Sequence, residues 1–272
     1  MKKAFLHIAL FFVLNLHFVI PASANTSTTN FDHEYHTYTA LLKENVTQGL
    51  VNYKAIKASP NKLNSILTNW GKITKTQFAS WSQPQQISFL FNLYNASTLK
   101  LIADNYPVES IKDIGSFFSG PWDQEIVILF GTKTTLDHVE HEILRKQYNE
   151  PKLLLTLVCA AMGCPPLRND AYTANSLEAQ FSGQAKQLLD HPLKFKLDRI
   201  NNTVYLSAIF KWYGNDFIKS YLPQKNIPGL SDKEASVVNY LASHLPKPEQ
   251  DYLSKGDYDI EYLDYDWSLN EQ

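Results

Sequence analysis

Cysteine is scarce in this chain: Cys159 and Cys164 are the only two in 272 residues. Four residues separate them, so a tight turn could join them in a disulfide, which would suit an exported protein. One of them could instead be a nucleophilic thiol, with its pKa lowered by an imidazole or a helix N-terminus, while the other is structural. Inert packing is the third interpretation, and the residue pattern leaves all three open.

Long runs of like charge are absent as well. The chain carries 25 basic and 27 acidic residues, a formal net charge of −2, and the two signs are interspersed. This excludes the basic stripe of a nucleic-acid-binding protein, so we expect no nucleic acid partner. Repeats and low-complexity linkers are missing too, which favours a single domain.

The one long apolar run lies at the N-terminus. Two lysines, an apolar stretch over residues 4–20 and an A-x-A pattern that ends at Ala24 are typical of a secretory signal peptide. We therefore assign residues 1–24 to a signal peptide and residues 25–272 to one α+β domain. No later segment is apolar enough to span a bilayer, so we expect a periplasmic or secreted protein with no stable membrane insertion after signal removal.

Helical spacing dominates the first half of the sequence, and alternating patterns dominate the second. Residues 86–104 form the most hydrophobic helix, which is apolar on every side and is therefore expected at the centre of the fold. Residues 193–207 predict a hairpin, and residues 258–267 predict a final strand. The pattern predicts an α+β fold, with a helical N-terminal half packed on a largely antiparallel sheet.

The run from Leu153 to Val158 is almost purely apolar and leads into the small-residue turn that holds both cysteines. A run of this length, bounded by turn residues, predicts a buried strand, although periodicity alone does not exclude a buried helix. Chemistry is often placed where a buried element ends, because the backbone there is rigid. We therefore expect this turn to be the centre of the functional site.

A second candidate group lies on the helix for which Thr135 is a good N-cap. Glu140 falls on the apolar face of that helix, with His141 at its edge, and such a pair can act as orienter and base. Alternatively, Glu140 anchors an arginine such as Arg168, and His141 caps a groove. His138 and His141 have no third ligand at a known zinc spacing, so we expect no metal and no other cofactor.

Polar and aromatic side chains on two further helices complete the candidates. Asn92 and Asn95 lie one turn apart on the central helix, on either side of Tyr94. Their amides either bond to loop backbone or orient a substrate, one of them as an oxyanion donor. Trp212 and its neighbour Tyr213 either line a groove or fill a packing corner.

Four spaced motifs carry a resemblance to a known family: FNLYNA at 91–96, LDHVEHEILR at 136–145, CAAMGCPPLR at 159–168 and SAIFKWY at 207–213. Together with residues 262–270 they resemble the domain of unknown function 547 family, over about residues 35–270. Where that family usually shows Cys-Gly-Ala, Cys159 is followed by two alanines, and Gly163 stands where serine is common. Both changes keep the side chains small, but they weaken any role for a serine hydroxyl. The resemblance implies that the family's motif positions are Asn92, Asn95, Glu140, His141, Cys159, Cys164 and Arg168.

A cysteine, a histidine and an amide or carboxylate are the ingredients of papain-like and transglutaminase-like thiol enzymes. In those folds the cysteine usually precedes the histidine, whereas His141 comes first here, so the equivalence needs a permuted arrangement. We hypothesise a thiol-dependent hydrolase or acyl-transfer enzyme that acts on a small-molecule or peptide substrate, at peptide or amide bonds. Cys159 or Cys164 is its nucleophile and His141 its base, and Arg168 binds a substrate carboxylate. The alternative is a non-catalytic binding or structural module pinned by a Cys159–Cys164 disulfide.

Overall fold

One long helix, Gln83–Asn105, organises the fold in a computed structural model that describes residues 31–116 and 119–272. The helix begins at a capping box, in which the backbone N–H of Ser82 donates to Gln85 Oε1 at 2.9 Å. Its side chains are buried on every side, as predicted. The predicted signal peptide, residues 1–24, lies outside the described residues, and Asp32–Gln272 forms one compact unit.

Short helices surround the central one. The α-helices are α1 (His36–Asn45), α2 (Tyr53–Ala58), α3 (Asn61–Gly71), α4 (Lys75–Ala79), α5 (Gln83–Asn105), α6 (Leu177–Leu189), α7 (Ala208–Tyr213), α8 (Ile218–Tyr221), α9 (Asp232–Ala242) and α10 (Lys247–Leu253). Single 3₁₀ turns occupy Ile111–Asp113, Pro121–Asp123, Pro151–Leu155 and Gly214–Phe217, and a π-helix occupies His138–Tyr148. Over residues 31–116 and 119–272, no helix is both long and apolar enough to cross a membrane.

The strands of the described residues form three small sheets. Two of them are antiparallel pairs, β1 (Val46–Thr47) with β2 (Leu50–Val51) and β3 (Val127–Leu129) with β4 (Thr132–Thr134). The third sheet has the order β5 (Phe195–Asp198), β6 (Thr203–Ser207) and β7 (Asp259–Leu263). The hairpin predicted over residues 193–207 and the predicted final strand are thus both confirmed.

The α+β class is confirmed, and among the described residues the pairings β1–β2, β3–β4 and β5–β6 are antiparallel, as predicted. Strand β7 is the exception: it pairs with β6 in parallel, so the third sheet is mixed. Helices α7 to α10 lie between these two strands in the sequence, and a connection of that length can return the chain in the same direction. The sheet packs against α6 and α7.

The strand predicted over Leu153–Val158 is wrong, and only a short 3₁₀ turn matches the helical alternative. The chain forms a 3₁₀ turn over Pro151–Leu155 and then runs irregularly to Cys159. Its backbone polar groups find side-chain partners in place of a neighbouring strand: Asn95 binds Thr156 O and Val158 N, and Gln184 Nε2 donates to Leu155 O. A buried apolar run therefore needs no sheet here, because side chains satisfy its backbone.

The helix predicted to follow Thr135 is present, with a different winding. The backbone N–H of His138 donates to Thr135 Oγ1 at 3.0 Å, which confirms the predicted cap. From His138 to Tyr148 the helix is a π-helix, whose hydrogen bonds link residues five apart. The winding brings Glu140 and Arg145 together, a pair that ordinary helical spacing would separate.

Candidate functional site

A cavity of about 470 Å³ lies between the cysteine turn, the π-helix and the C-terminal segment. It is lined by seven of the side chains that the sequence singled out: Tyr94, Glu140, His141, Cys159, Cys164, Trp212 and Tyr213. The sequence did not anticipate the other polar and aromatic lining residues as a group, namely Trp122, Asp123, Asp137, Tyr265 and Trp267.

The two cysteines form one edge of the cavity and are joined by a disulfide, with a Cα–Cα separation of 6.0 Å. The Cys164 side chain is buried, whereas Cys159 is only partly so. The backbone N–H of Cys159 donates to Cys164 Sγ at 2.8 Å. Neither sulfur is a free thiol in this state.

Tyr265 contacts the disulfide through its hydroxyl. Its hydroxyl lies 2.8 Å from Cys159 Sγ, and since a disulfide sulfur carries no proton, the hydroxyl is the donor. Burial raises the pKa of the Tyr265 phenol, so the proton needed for this bond is retained at neutral pH. The Tyr265 ring lies directly over Gly163, where a Cβ would come within 2.9 Å of three ring carbons.

Glu140 is held by an ion pair within its own helix. Arg145 Nη2 donates to Glu140 Oε1 at 2.8 Å, and Arg145 Nη1 also pairs with Asp216. The Tyr94 hydroxyl donates to Glu140 Oε2 at 3.2 Å, and both burial and this carboxylate raise the pKa of Tyr94 well above its usual value. The expected arginine partner was Arg168, and the structure corrects it to Arg145.

His141 lies at the edge of the cavity, as expected. Its Nε2 is 3.6 Å from Asp137 Oδ1 and 3.9 Å from Glu140 Oε1, and its ring is tilted against Tyr213. An imidazole between two carboxylates can exchange a proton with a bound ligand. In the part of the chain that the structure describes, no three His, Cys, Asp or Glu side chains are arranged to hold a metal ion.

Asn92 and Asn95 lie outside the cavity, and their side-chain amides form hydrogen bonds with loop backbone. Asn92 Nδ2 donates to Tyr172 O at 2.7 Å, while its Oδ1 accepts from Tyr172 N at 2.9 Å. Asn95 makes the equivalent pair with Thr156 O and Val158 N, both at 3.0 Å. Both amides thus bond to loop backbone, which is the first of the two predicted alternatives, and neither lines the cavity where a substrate contact was expected.

Arg168 also lies elsewhere, in a second cavity of about 800 Å³. It pairs with Asp170 at 2.8 Å. This cavity shares Cys164 with the first one and contains Lys194, whose Nζ donates to the Cys164 carbonyl oxygen. Desolvation lowers the pKa of the buried Lys194 from 10.5 to about 8.

The comparisons with known proteins give a family. Residues 78–189 match the model described as "Protein of unknown function, DUF547". This match assigns residues 78–189 to the DUF547 family. No curated protein and no solved structure matches the chain, so the permuted papain-like or transglutaminase-like arrangement stays a prediction.

The DUF547 match covers one side of the cavity only. It includes the π-helix and the cysteine turn, whereas Trp212, Tyr213, Tyr265 and Trp267 lie beyond residue 189. Trp267 is in ring contact with Trp122, Trp212 and Tyr265, with the centroids 4.5–6.3 Å apart. The alternating tail from Tyr258 to Trp267 was the available signal for this wall, although alternation by itself predicts only a strand.

Proposed function

We propose that the protein is an exported binding protein whose disulfide-edged cavity holds a small molecule or a peptide side chain that carries a positive charge. The observation that supports this is the lining: six Trp and Tyr side chains together with the carboxylates of Asp123, Asp137 and Glu140. A volume of about 470 Å³ is suited to a ligand of this size.

Charge and ring geometry favour a cation over other ligands. Among the lining residues that the structure describes there is no lysine or arginine, although Arg145 neutralises part of the charge on Glu140. Aromatic faces attract cations, by about 0.5–2 kcal/mol. Cations already occupy faces at this site: Lys112 Nζ lies 3.5 Å from the Trp267 ring centroid, and the Arg145 guanidinium lies 4.3 Å from that of Tyr213.

Tryptophan fluorescence tests the proposal directly, because Trp122, Trp212 and Trp267 line the cavity. The ligands are Nα-acetyl-lysine methylamide and its uncharged norleucine counterpart. We expect saturable binding of the lysine compound, at least about tenfold tighter than the norleucine compound. Trp212→Leu should weaken the binding of the lysine compound, which Trp122 and Trp267 still report, and Trp81→Phe, outside the cavity, should leave the affinity unchanged. No saturable change with the lysine compound, or equal affinity for the two compounds, would contradict the proposal.

A second candidate, thiol-dependent acyl transfer, is favoured by the position of Cys159, Cys164, Glu140 and His141 around one cavity. It requires reduction first, because both sulfurs are bonded to each other. After reduction, iodoacetamide should label one cysteine of the native protein, and His141→Ala should slow the labelling. Labelling at the same rate in His141→Ala would remove the histidine from the mechanism.

Export is part of the proposal. A disulfide is typical of an oxidising compartment, and this supports the signal peptide predicted over residues 1–24. N-terminal sequencing of the protein recovered from the periplasm or medium should begin at Asn25.

A further inference from the structure

The disulfide is accessible from the cavity, whereas a purely structural crosslink is usually enclosed. Both cysteines line the cavity, and Cys159 is the more exposed of the two. We propose that Cys159–Cys164 is a redox-active pair that undergoes thiol–disulfide exchange with a small thiol bound in the cavity. This inference rests on the proposed use of the cavity as a ligand site, but it does not depend on the preference for cations.

The two sulfurs are arranged asymmetrically, which assigns their roles. Cys159 is partly exposed and Cys164 is buried, so we assign Cys159 Sγ as the sulfur that an incoming thiolate attacks. Its attack forms a bond between the ligand sulfur and Cys159 Sγ, breaks the bond to Cys164, and leaves the electron pair on Cys164 Sγ as a thiolate. The backbone N–H of Cys159 already donates to that sulfur at 2.8 Å. The Lys194 ammonium donates to the carbonyl oxygen of Cys164 and so adds a positive charge near the Cys164 thiolate.

The second step of the exchange has its own hydrogen-bond donor, the Tyr265 hydroxyl. A second thiolate attacks the ligand sulfur of the mixed disulfide, and the electron pair then passes to Cys159 Sγ. The Tyr265 hydroxyl, 2.8 Å from this sulfur, donates to the thiolate that forms. The net reaction converts two external thiols into one external disulfide and leaves Cys159 and Cys164 as thiols. An external disulfide drives the reverse reaction.

Backbone hydrogen bonds hold the turn in place independently of the disulfide. The C-terminal segment pairs with the turn along its length: Met162 N donates to Ser268 O at 2.9 Å, Gly163 N to Asp266 O at 2.8 Å, and Asn270 N to Ala160 O at 3.0 Å. The disulfide closes a loop with a sequence separation of only five, so its contribution through closure entropy is small. Reduction should therefore leave the turn in place.

Single-cysteine variants of the full chain test the assignment. Cys164→Ser and Cys159→Ser are each treated with cystamine, the disulfide of cysteamine, and analysed by mass spectrometry. We expect a cysteamine adduct on Cys159 to form at least about tenfold faster than one on the buried Cys164. Equal rates, or a faster reaction at Cys164, would overturn the proposed roles.

The wild-type protein keeps the proposal testable if a variant fails to fold. Cysteamine should reduce the native disulfide at a rate comparable with that in urea, and the reduced protein should melt within a few degrees of the oxidised one. A native disulfide that resists reduction, or a reduced protein that is unfolded, would show a structural crosslink and overturn the inference. Amine binding is measured separately by fluorescence without thiols, so failure of the cation proposal and failure of the exchange proposal are distinguishable.

Discussion

The side-chain amide oxygen of Asn95 accepts a hydrogen bond from the backbone N–H of Val158 at 3.0 Å, one residue before the cysteine turn begins. The same side chain donates to Thr156 O, also at 3.0 Å. One buried amide on the central helix thus fixes the segment that carries Cys159. Helix α5 therefore positions the cysteine turn.

Removing this amide should destabilise the fold. Asn95→Ala leaves the C=O of Thr156 and the N–H of Val158 without their partner in a buried setting, at a cost of about 2–4 kcal/mol in the free energy of unfolding. Asn105→Ala, at the exposed end of the same helix, is the matched control and should stay within about 0.5 kcal/mol. Urea denaturation measures both, and equal effects would show that the two amides are equivalent.

The ion pair on the π-helix gives a second prediction. Glu140→Gln removes the charge that faces Arg145 and weakens the acceptor for Tyr94, so the free energy of unfolding should fall by about 1–3 kcal/mol. Glu142→Gln breaks the exposed pair with Lys146 on the same helix and should have no measurable effect. A Glu140→Gln protein as stable as the wild type would mean that the network carries no net stability.

The lowered pKa of Lys194 predicts that the stability of the protein depends on pH. Its folded pKa of about 8 lies below the ordinary 10.5, so between these values the unfolded chain binds more protons and stability rises with pH. From about pH 7.5 to about pH 9.5 the wild type should gain about 2 kcal/mol relative to Lys194→Met, which has no such group. Chemical denaturation of both proteins at the two pH values provides the measurement. Parallel pH profiles would indicate that Lys194 titrates normally.

Gly163 tests the packing of Tyr265 over the turn. The Cβ of Gly163→Ala would lie 2.9 Å from the Tyr265 ring, so the ring must move away from Cys159, at a cost of about 1–3 kcal/mol. Gly183→Ala, within α6, meets only Arg168 Nη1 at 3.5 Å and should be neutral or stabilising by up to about 1 kcal/mol. Thermal denaturation compares the two, and a neutral Gly163→Ala would show that the ring adapts without cost.

Local patterns predicted the elements that depend on local physics. The all-apolar character of residues 86–104 placed α5 at the centre, and Thr135 marked the start of the following helix. The strand predicted over Leu153–Val158 failed because an amide 61 residues away in sequence replaces a sheet partner. No local pattern in the sequence predicts that a side-chain amide takes the place of a neighbouring strand.

The candidate site, too, was predicted only in part. Cys159, Glu140 and His141 were found because each residue type is conspicuous in its surroundings. Arg145 was not linked to Glu140, because ordinary α-helical spacing does not bring together residues five positions apart and only the π-winding does. The wall formed by Tyr265 and Trp267 was missed, since nothing short-range connects it to a turn a hundred residues earlier.

The cavity joins parts of the chain from Tyr94 to Trp267, and this has a consequence for how it forms. Contacts between distant residues are made late in folding, after the entropy of closing long loops has been lost. A partly folded chain, or a fragment limited to residues 78–189, lacks the aromatic wall and cannot bind a ligand there. The proposed binding is therefore linked to the last contacts made, and a ligand in this cavity should raise the stability of the whole domain rather than that of one segment.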